Sequence, residues 1–166
     1  MRSFEEQLTE YAKYHRDHRN IATHFIGIPM IVLGIMILLS KPLIPIGDLI
    51  FTPAVFIALA SCIYYLSLNV AYGIAMSVLF SLLLTVAIIL SSYGQTVWLS
   101  SGIGLFLVGW IAQFIGHFYE GKKPAFVDDL IGLIIGPLFI VVEASFILGI
   151  NKSLELSIDS AAGARR

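Results

Sequence analysis

Two short polar clusters interrupt an otherwise apolar chain, and both contain residue types that bind transition metals. The first cluster is His15-Arg16-Asp17-His18-Arg19-Asn20, with His24 just beyond it. The second lies at and just after the end of the fourth apolar segment: Gln113, His117, Glu120, Lys122, Lys123, Asp128 and Asp129. Neutral imidazole is a common ligand of iron, zinc and copper, and a carboxylate can complete the ligand shell. Because the clusters hold every histidine of the chain, a metal site is a candidate function for them.

The spacing of the N-terminal histidines limits how they could share a metal. His15 and His18 are three residues apart and would lie on one helix face. His15 and His24 are nine residues apart, and in one straight helix they would point in opposite directions, about 13 Å apart along the axis. They can share a ligand only if the chain turns between them. Asn20 is the predicted turn, because asparagine favours the N-cap of a helix.

The second cluster and one isolated acid add further candidates. His117 and Glu120 would lie one helical turn apart on a shared face, with Gln113 one turn in the other direction. Glu143 lies within the last apolar segment, where a carboxyl is costly and usually faces a cavity or a partner. We therefore expect Glu143 to have a functional or site-supporting role.

Several of these residues also have a purely structural interpretation. A single histidine at a membrane interface is usually only a polar residue at headgroup level, and Lys122 and Lys123 are typical anchors for lipid headgroups. Asp128 and Asp129 could simply begin the fifth helix, since acids favour the positive end of the helix dipole.

The composition indicates an integral membrane protein. Of 166 residues, 58% are hydrophobic and only 13% are charged, against roughly 25% in soluble proteins. Between Phe25 and Phe118 the only charged residues are Lys41 and Asp48. The net charge of -1 gives no basic field for nucleic acid.

Five apolar segments approach the roughly 20 residues that a spanning helix needs. They are residues 25–40, 49–68, 70–91, 97–118 and 130–150. Only Asn69 separates the second from the third, which predicts a tight hairpin or one bent unit. The fifth contains Pro137, so a full span and a re-entrant pair of half-helices remain alternatives. Before the first span, Phe4 to Asp17 is expected to form an amphipathic helix at the membrane surface.

These segments predict an all-α, polytopic helical bundle. It would be one membrane-embedded domain over residues 1–166, with an interfacial helix up to residue 20, a bundle over 25–150 and a polar tail over 151–166. Basic residues precede the first span and follow the fourth, which places both clusters on one membrane face. The positive-inside tendency makes that face cytoplasmic, in the cytoplasmic membrane if the source is bacterial.

At these same residues the sequence resembles a known family, the membrane-embedded 2-hydroxy fatty acid dioxygenases of phytosphingosine degradation and their bacterial relatives. The N-terminal motif is Tyr14-His15, Asn20 and His24, followed by an apolar run with Pro29. The second motif comprises Trp110, Gln113-Phe114-Ile115-Gly116-His117, Glu120, Pro124-Ala125 and Asp128. The third is Gly136-Pro137 with Glu143 downstream. Together these motifs cover most of the chain.

The resemblance implies an iron(II) centre held by histidines and the oxidative shortening of a 2-hydroxy fatty acid by one carbon, with O2 as co-substrate. Carried over by position, His15, His24 and His117 are the implied metal ligands, and with Glu143 the implied catalytic residues. His18 falls outside the family motif, and it joins Glu120 and Glu143 as a second tier of candidate ligands. Partners that could orient the histidine rings are Asn20, Gln113 and Asp128. The substrate and membrane lipid are the expected partners.

Three alternatives remain at this stage. A di-iron hydroxylase or desaturase needs many more histidines than the four present. A zinc-dependent membrane hydrolase would use the same ligand types. A lipid-binding or scaffold protein would use the polar clusters only to hold headgroups. The sequence predicts no particular oligomeric state.

Overall fold

The structure is a computed structural model that describes residues 2–128 and 130–166, and it is almost entirely helical, as predicted. Its elements in chain order are α1 (Phe4–Ala12), α2 (His18–Leu39), β1 (Ile44–Ile46), β2 (Leu49–Phe51), α3 (Pro53–Leu68), α4 (Val70–Ser92), α5 (Gln95–Glu120), a 3-10 turn (Ala125–Val127), α6 (Gly132–Ile147) and α7 (Lys152–Ala162). The chain forms two compact units, one of Met1–Ile28 with Ile111–Arg166 and the other of Pro29–Trp110.

Three of the described helices, α2, α4 and α5, are long and apolar enough to cross a membrane. The 16-residue α3 is apolar but shorter, and α6 and α7 pass the same test only as a pair bent by 119°. Each of the five predicted apolar segments therefore corresponds to a helix. These helices agree with the predicted membrane protein.

Within the unit Pro29–Trp110, α3 and α4 form the tight hairpin that Asn69 predicted. The Asn69 side chain accepts a hydrogen bond from the Tyr72 N–H and so caps α4. The rings of Tyr65 and Phe80 meet edge to face across the hairpin.

The same unit contains a β-hairpin where a loop and the start of a helix were predicted. Leu49 does not begin a helix, because Leu49–Phe51 pairs antiparallel with Ile44–Ile46. The intervening Gly47-Asp48 pair makes the turn, with Gly47 at a φ of 60°. A two-residue loop containing glycine is a strong hairpin signal. Helix α3 begins only at Pro53, because proline fits the first helical position.

In the other unit, the N-terminal helix is shorter than predicted and ends at Ala12. Ser3 and Glu6 form a reciprocal capping box at its start. Leu8 and Ala12 are completely buried, which makes α1 a packed part of this unit.

The prediction that Asn20 caps the first spanning helix is wrong. Helix α2 already begins at His18. Asp17 occupies the capping position, and its Oδ1 accepts a hydrogen bond from the Arg19 N–H. Asn20 is the third residue of the helix, so the turn between His15 and His24 lies before it.

The C-terminal region also differs from the expected polar tail. Helix α6 runs without a break through Pro137, and the sharp bend comes after Ile147. Asn151, in the left-handed region at a φ of 58°, precedes α7. Ile158 on α7 is fully buried, so residues 152–162 pack as an amphipathic helix.

Candidate metal centre

His15, His24 and His117 form one buried cluster. Each offers a ligand atom within 4.8 Å of the others, and their ring centroids are 4.5 to 5.0 Å apart. Their exposed fractions are 0%, 1% and 6%. The three histidines predicted as a ligand set are therefore brought together.

Three separate elements carry these side chains. His15 lies in the turn between α1 and α2, His24 is on α2, and His117 is on α5. A close approach of the two long helices makes this possible. A Cβ on Gly116 would lie 2.1 Å from Thr23 Oγ1 and 2.5 Å from Asn20 Oδ1, so only glycine fits there without a shift.

Backbone carbonyls orient two of the rings. The Nδ1 of His15 lies 2.7 Å from the Tyr11 carbonyl oxygen, and the Nδ1 of His24 lies 2.8 Å from the Asn20 carbonyl oxygen. A carbonyl oxygen can only accept, so each Nδ1 carries the hydrogen and donates it. In neutral rings both Nε2 atoms then present lone pairs, and these atoms face each other 3.0 Å apart.

This arrangement fits a metal ion. Two lone pairs at hydrogen-bond distance repel unless a cation lies beside them, and metal-binding histidines usually donate their other ring N–H to a backbone carbonyl or carboxylate. Burial, together with His24, holds the pKa of His15 well below its usual value. His15 is therefore neutral at pH 7, which is the form that binds metal.

The third histidine has unused polar capacity. His117 Nδ1 and the Nε2 of Gln113, one helical turn before it, are both buried and lack a hydrogen-bond partner among the described residues. Buried polar atoms without partners are uncommon in folded proteins. The backbone of Lys122 lies near the His117 ring, and the two buried atoms have room in their hydrogen bonding for a ligand or a water molecule.

Glu120 connects the turn that carries His15 to the helix that carries His117. Its Oε2 accepts hydrogen bonds from the backbone N–H groups of Arg16 and Asp17 at 2.9 and 2.8 Å and from Asn20 Nδ2 at 3.0 Å. Its Oε1 pairs with the Arg166 guanidinium at 3.2 Å. Glu120 is outside the histidine cluster, and its oxygens are engaged in holding this turn.

The other second-tier candidates also lie outside the cluster. His18 is exposed, and its backbone N–H donates to the Arg166 carbonyl oxygen. Glu143 is buried on α6, where its carboxylate pairs with Arg165 at 3.3 Å. Of the two surroundings expected for this costly carboxyl, a cavity or a partner, the structure therefore shows a charged partner.

The predicted ring partners differ from those observed. Asn20 does orient His24, but through its backbone carbonyl, while its side-chain amide donates to Tyr14 O and Glu120. The prediction for Asp128 is wrong. Asp128 is exposed, accepts from the Tyr14 hydroxyl at 2.8 Å and pairs with Lys123, which lowers the pKa of its carboxyl.

Sequence reasoning missed two aromatic residues of the site. The Tyr11 ring stacks on His15 with a centroid separation of 4.1 Å and an interplanar angle of 6°. Phe139 contacts both rings, at 4.9 Å from Tyr11 and 5.6 Å from His15. The i, i+4 spacing of Tyr11 and His15 was an available signal.

A cavity of about 200 Å³ lies beside Tyr11. Its lining mixes polar and apolar groups, among them Gln7, Tyr11, Tyr14, Ala125, Asp128 and Ile135. Tyr11 belongs both to this lining and to the stack on His15, whereas His15, His24 and His117 do not line the cavity.

Comparisons with known proteins point to one family. A family model described as 2-hydroxy-palmitic acid dioxygenase Mpo1-like matches residues 1–148. The 2-hydroxy-palmitic acid dioxygenase MPO1 of Saccharomyces cerevisiae is 34% identical over 155 residues, which cover 92% of this chain and 86% of the yeast protein. No solved structure matches.

Proposed function

The chain belongs to the Mpo1-like family of 2-hydroxy-palmitic acid dioxygenases, and from this premise we propose that it is an iron(II)-dependent dioxygenase that shortens a 2-hydroxy fatty acid by one carbon. The observation that carries the proposal is the buried cluster of three histidines whose ring orientations are already fixed. His15, His24 and His117 would hold the ion.

The overall reaction balances without a further reductant. One 2-hydroxy fatty acid and one O2 give the acid shortened by one carbon, carbon dioxide and water. The bond between C1 and C2 breaks, C1 leaves as carbon dioxide, and C2 becomes the new carboxyl carbon. The electrons that reduce O2 come from the fatty acid itself, so no 2-oxoglutarate is needed.

Iron(II) would supply the redox chemistry with O2 and a centre to which the hydroxyl and carboxylate oxygens of the substrate can bind. The protein's own contribution is to fix the ligands and to limit water. The Tyr11 and Asn20 carbonyls hold the ring orientations of His15 and His24. Glu120 holds the turn that carries His15. Tyr11 and Phe139 place aromatic surface against His15.

The location of the site suits an amphipathic substrate. We propose that the polar head of the acid reaches the histidines from the cavity beside Tyr11, while its acyl chain stays among apolar side chains or lipid. His24 is near the start of the apolar helix α2 and His117 near the end of the apolar helix α5. We propose that both positions lie at one membrane interface and that this interface faces the cytoplasm.

The decisive experiment is metal analysis and oxygen uptake on protein purified without oxygen. We expect iron near one equivalent per chain, oxygen consumption with 2-hydroxypalmitate, and pentadecanoate as product. Palmitate, which lacks the 2-hydroxyl, is the matched control and should consume no oxygen. Zinc without oxygen uptake would favour a hydrolase, and absence of bound metal would favour a lipid-binding or scaffold protein; either result contradicts the proposal.

A further inference from the structure

Residues 152–166, here called the C-terminal strap, contact the turn that carries His15. The strap lies beyond the residues that the family model matches, which end at 148. Its helix α7 packs on α1, and its last residues run beside Arg16 and His18. This position raises the question of what the strap contributes to the site.

The strongest link between strap and site is the side chain of Arg16. Its Nε donates to the His15 carbonyl oxygen at 3.0 Å. Its Nη1 donates to Asp159 Oδ1 at 2.8 Å and to the Gly163 carbonyl oxygen at 3.0 Å. Arg16 is only 4% exposed, and a buried guanidinium needs compensating charge and acceptors. Among the described residues, Asp159 is therefore the acid that forms an ion pair with Arg16, the residue next to His15.

Backbone contacts add to this link. The Arg166 N–H donates to the Arg16 carbonyl oxygen, and the His18 N–H donates to the Arg166 carbonyl oxygen, both at 2.9 Å. The turn is thus held by Glu120 on α5 and by the strap.

Arg165 joins the strap to the helix that carries Glu143. Its guanidinium pairs with Glu143, with Glu155 and with Asp159 at 3.3, 3.3 and 3.4 Å. Asp159 therefore contacts two arginines, one beside His15 and one beside Glu143. Removing the Asp159 carboxylate would leave the positive charges of Arg16 and Arg165 less well compensated, although both side chains are largely buried.

We propose that Asp159 is a positioning residue for the metal centre, acting on His15 through Arg16. The inference rests on the proposed metal site. Loss of an outer contact that orients a metal ligand typically lowers metal affinity about 10- to 100-fold. We expect Asp159→Ala to weaken metal binding about 10-fold, and Asp159→Asn, which keeps an oxygen acceptor, to lose less.

The test is titration of metal-free protein with Co2+, followed through the visible absorption of the bound ion, with thermal unfolding of the same samples. Lys152→Ala is the matched control, because that side chain is exposed on the same helix and pairs only with Glu155 among the described residues. It should bind Co2+ as the wild type does.

A double-mutant cycle separates positioning from a general loss of stability. In an Arg16→Ala background, Asp159→Ala should cause little further loss of Co2+ affinity, because its route to His15 is already gone. Fully additive losses, or wild-type affinity in both Asp159 variants, would overturn the inference. A wild-type protein that binds no Co2+ would overturn the proposed metal site and this inference together. Should Asp159→Ala fail to fold, Asp159→Asn carries the same test.

Discussion

The Nε2 atoms of His15 and His24 lie 3.0 Å apart, although each ring has already given its hydrogen to a backbone carbonyl on its other side. A buried imidazolium would relieve the repulsion but is costly without a carboxylate partner. A metal ion relieves it for both rings at once, and this relationship is the basis of the first prediction.

Single alanine substitutions of His15, His24 or His117 should each strip iron and abolish oxygen uptake. Each removes one of three donors, so the loss should exceed the roughly 10- to 100-fold expected from losing only a partner of a ligand. His18→Ala is the matched control, because His18 is exposed and outside the cluster; it should keep most of its iron. Equal damage from His18→Ala would mean that four histidines bind the metal.

Gly116→Ala should disturb the approach of α2 and α5 at the site. The added Cβ would meet Thr23 Oγ1 at 2.1 Å and Asn20 Oδ1 at 2.5 Å, and such overpacking typically costs about 1–3 kcal/mol. Gly104→Ala on the same helix is the control, since its Cβ meets nothing within 4 Å. Thermal unfolding and iron content of both variants should be measured in detergent. Wild-type stability and iron content in Gly116→Ala would show that α2 and α5 separate easily.

The sequence predicted the parts of this structure that depend on helix length and apolarity. The five apolar segments became helices, and Asn69 produced the expected hairpin. The three histidines were identified through the family resemblance together with a required turn between His15 and His24. The location of that turn was not predicted, because Asp17 and Asn20 are both good capping residues and only tertiary contacts decide between them.

Other features had little signal in the sequence. The partners of His15 and His24 are carbonyls of Tyr11 and Asn20, and every residue has a carbonyl, so side-chain types could not identify them. Helix α7 was not predicted, because apolar residues such as Ile158 indicate an amphipathic helix only when the surface that they pack against is known.

Glu143→Gln should reduce activity more than it reduces folding. Glutamine keeps the shape of the side chain but removes the charge that faces Arg165. Arg165 retains Glu155 and Asp159 as partners, so the loss of stability should stay below the roughly 3–5 kcal/mol that breaking a buried ion pair typically costs. Oxygen uptake and thermal unfolding should be compared with Asp48→Asn, which makes the same change from carboxylate to amide in the exposed turn between β1 and β2. Full activity in Glu143→Gln would reduce Glu143 to a structural residue.

Filling the cavity beside Tyr11 should impair substrate binding. Ala125 lines this cavity, and Ala125→Leu would occupy part of its roughly 200 Å³. We expect the KM for 2-hydroxypalmitate to rise several-fold while iron content is unchanged. Ala161→Leu, at an exposed position of α7, controls for added apolar surface. An unchanged KM in Ala125→Leu would mean that the acid reaches the histidines by another route.

The last prediction concerns membrane topology. Contacts join the segment before α2 to the segment after α5, since Lys122 Nζ donates to the Lys13 carbonyl oxygen at 2.7 Å and the Tyr14 hydroxyl donates to Asp128 at 2.8 Å. Both segments should therefore lie on one membrane face, and their basic residues favour the cytoplasmic face.

Single cysteines at Ser3 and Val127, in a chain with Cys62 replaced by alanine, should react with a membrane-impermeant thiol reagent only from the cytoplasmic side. Both positions are exposed. A cysteine at Asp48, which follows the first spanning helix, should react only from the opposite side. This control shows that the reagent does not cross the membrane. Labelling of Ser3 and Val127 from opposite sides would contradict the topology, and with it a site built jointly from His15 and His117.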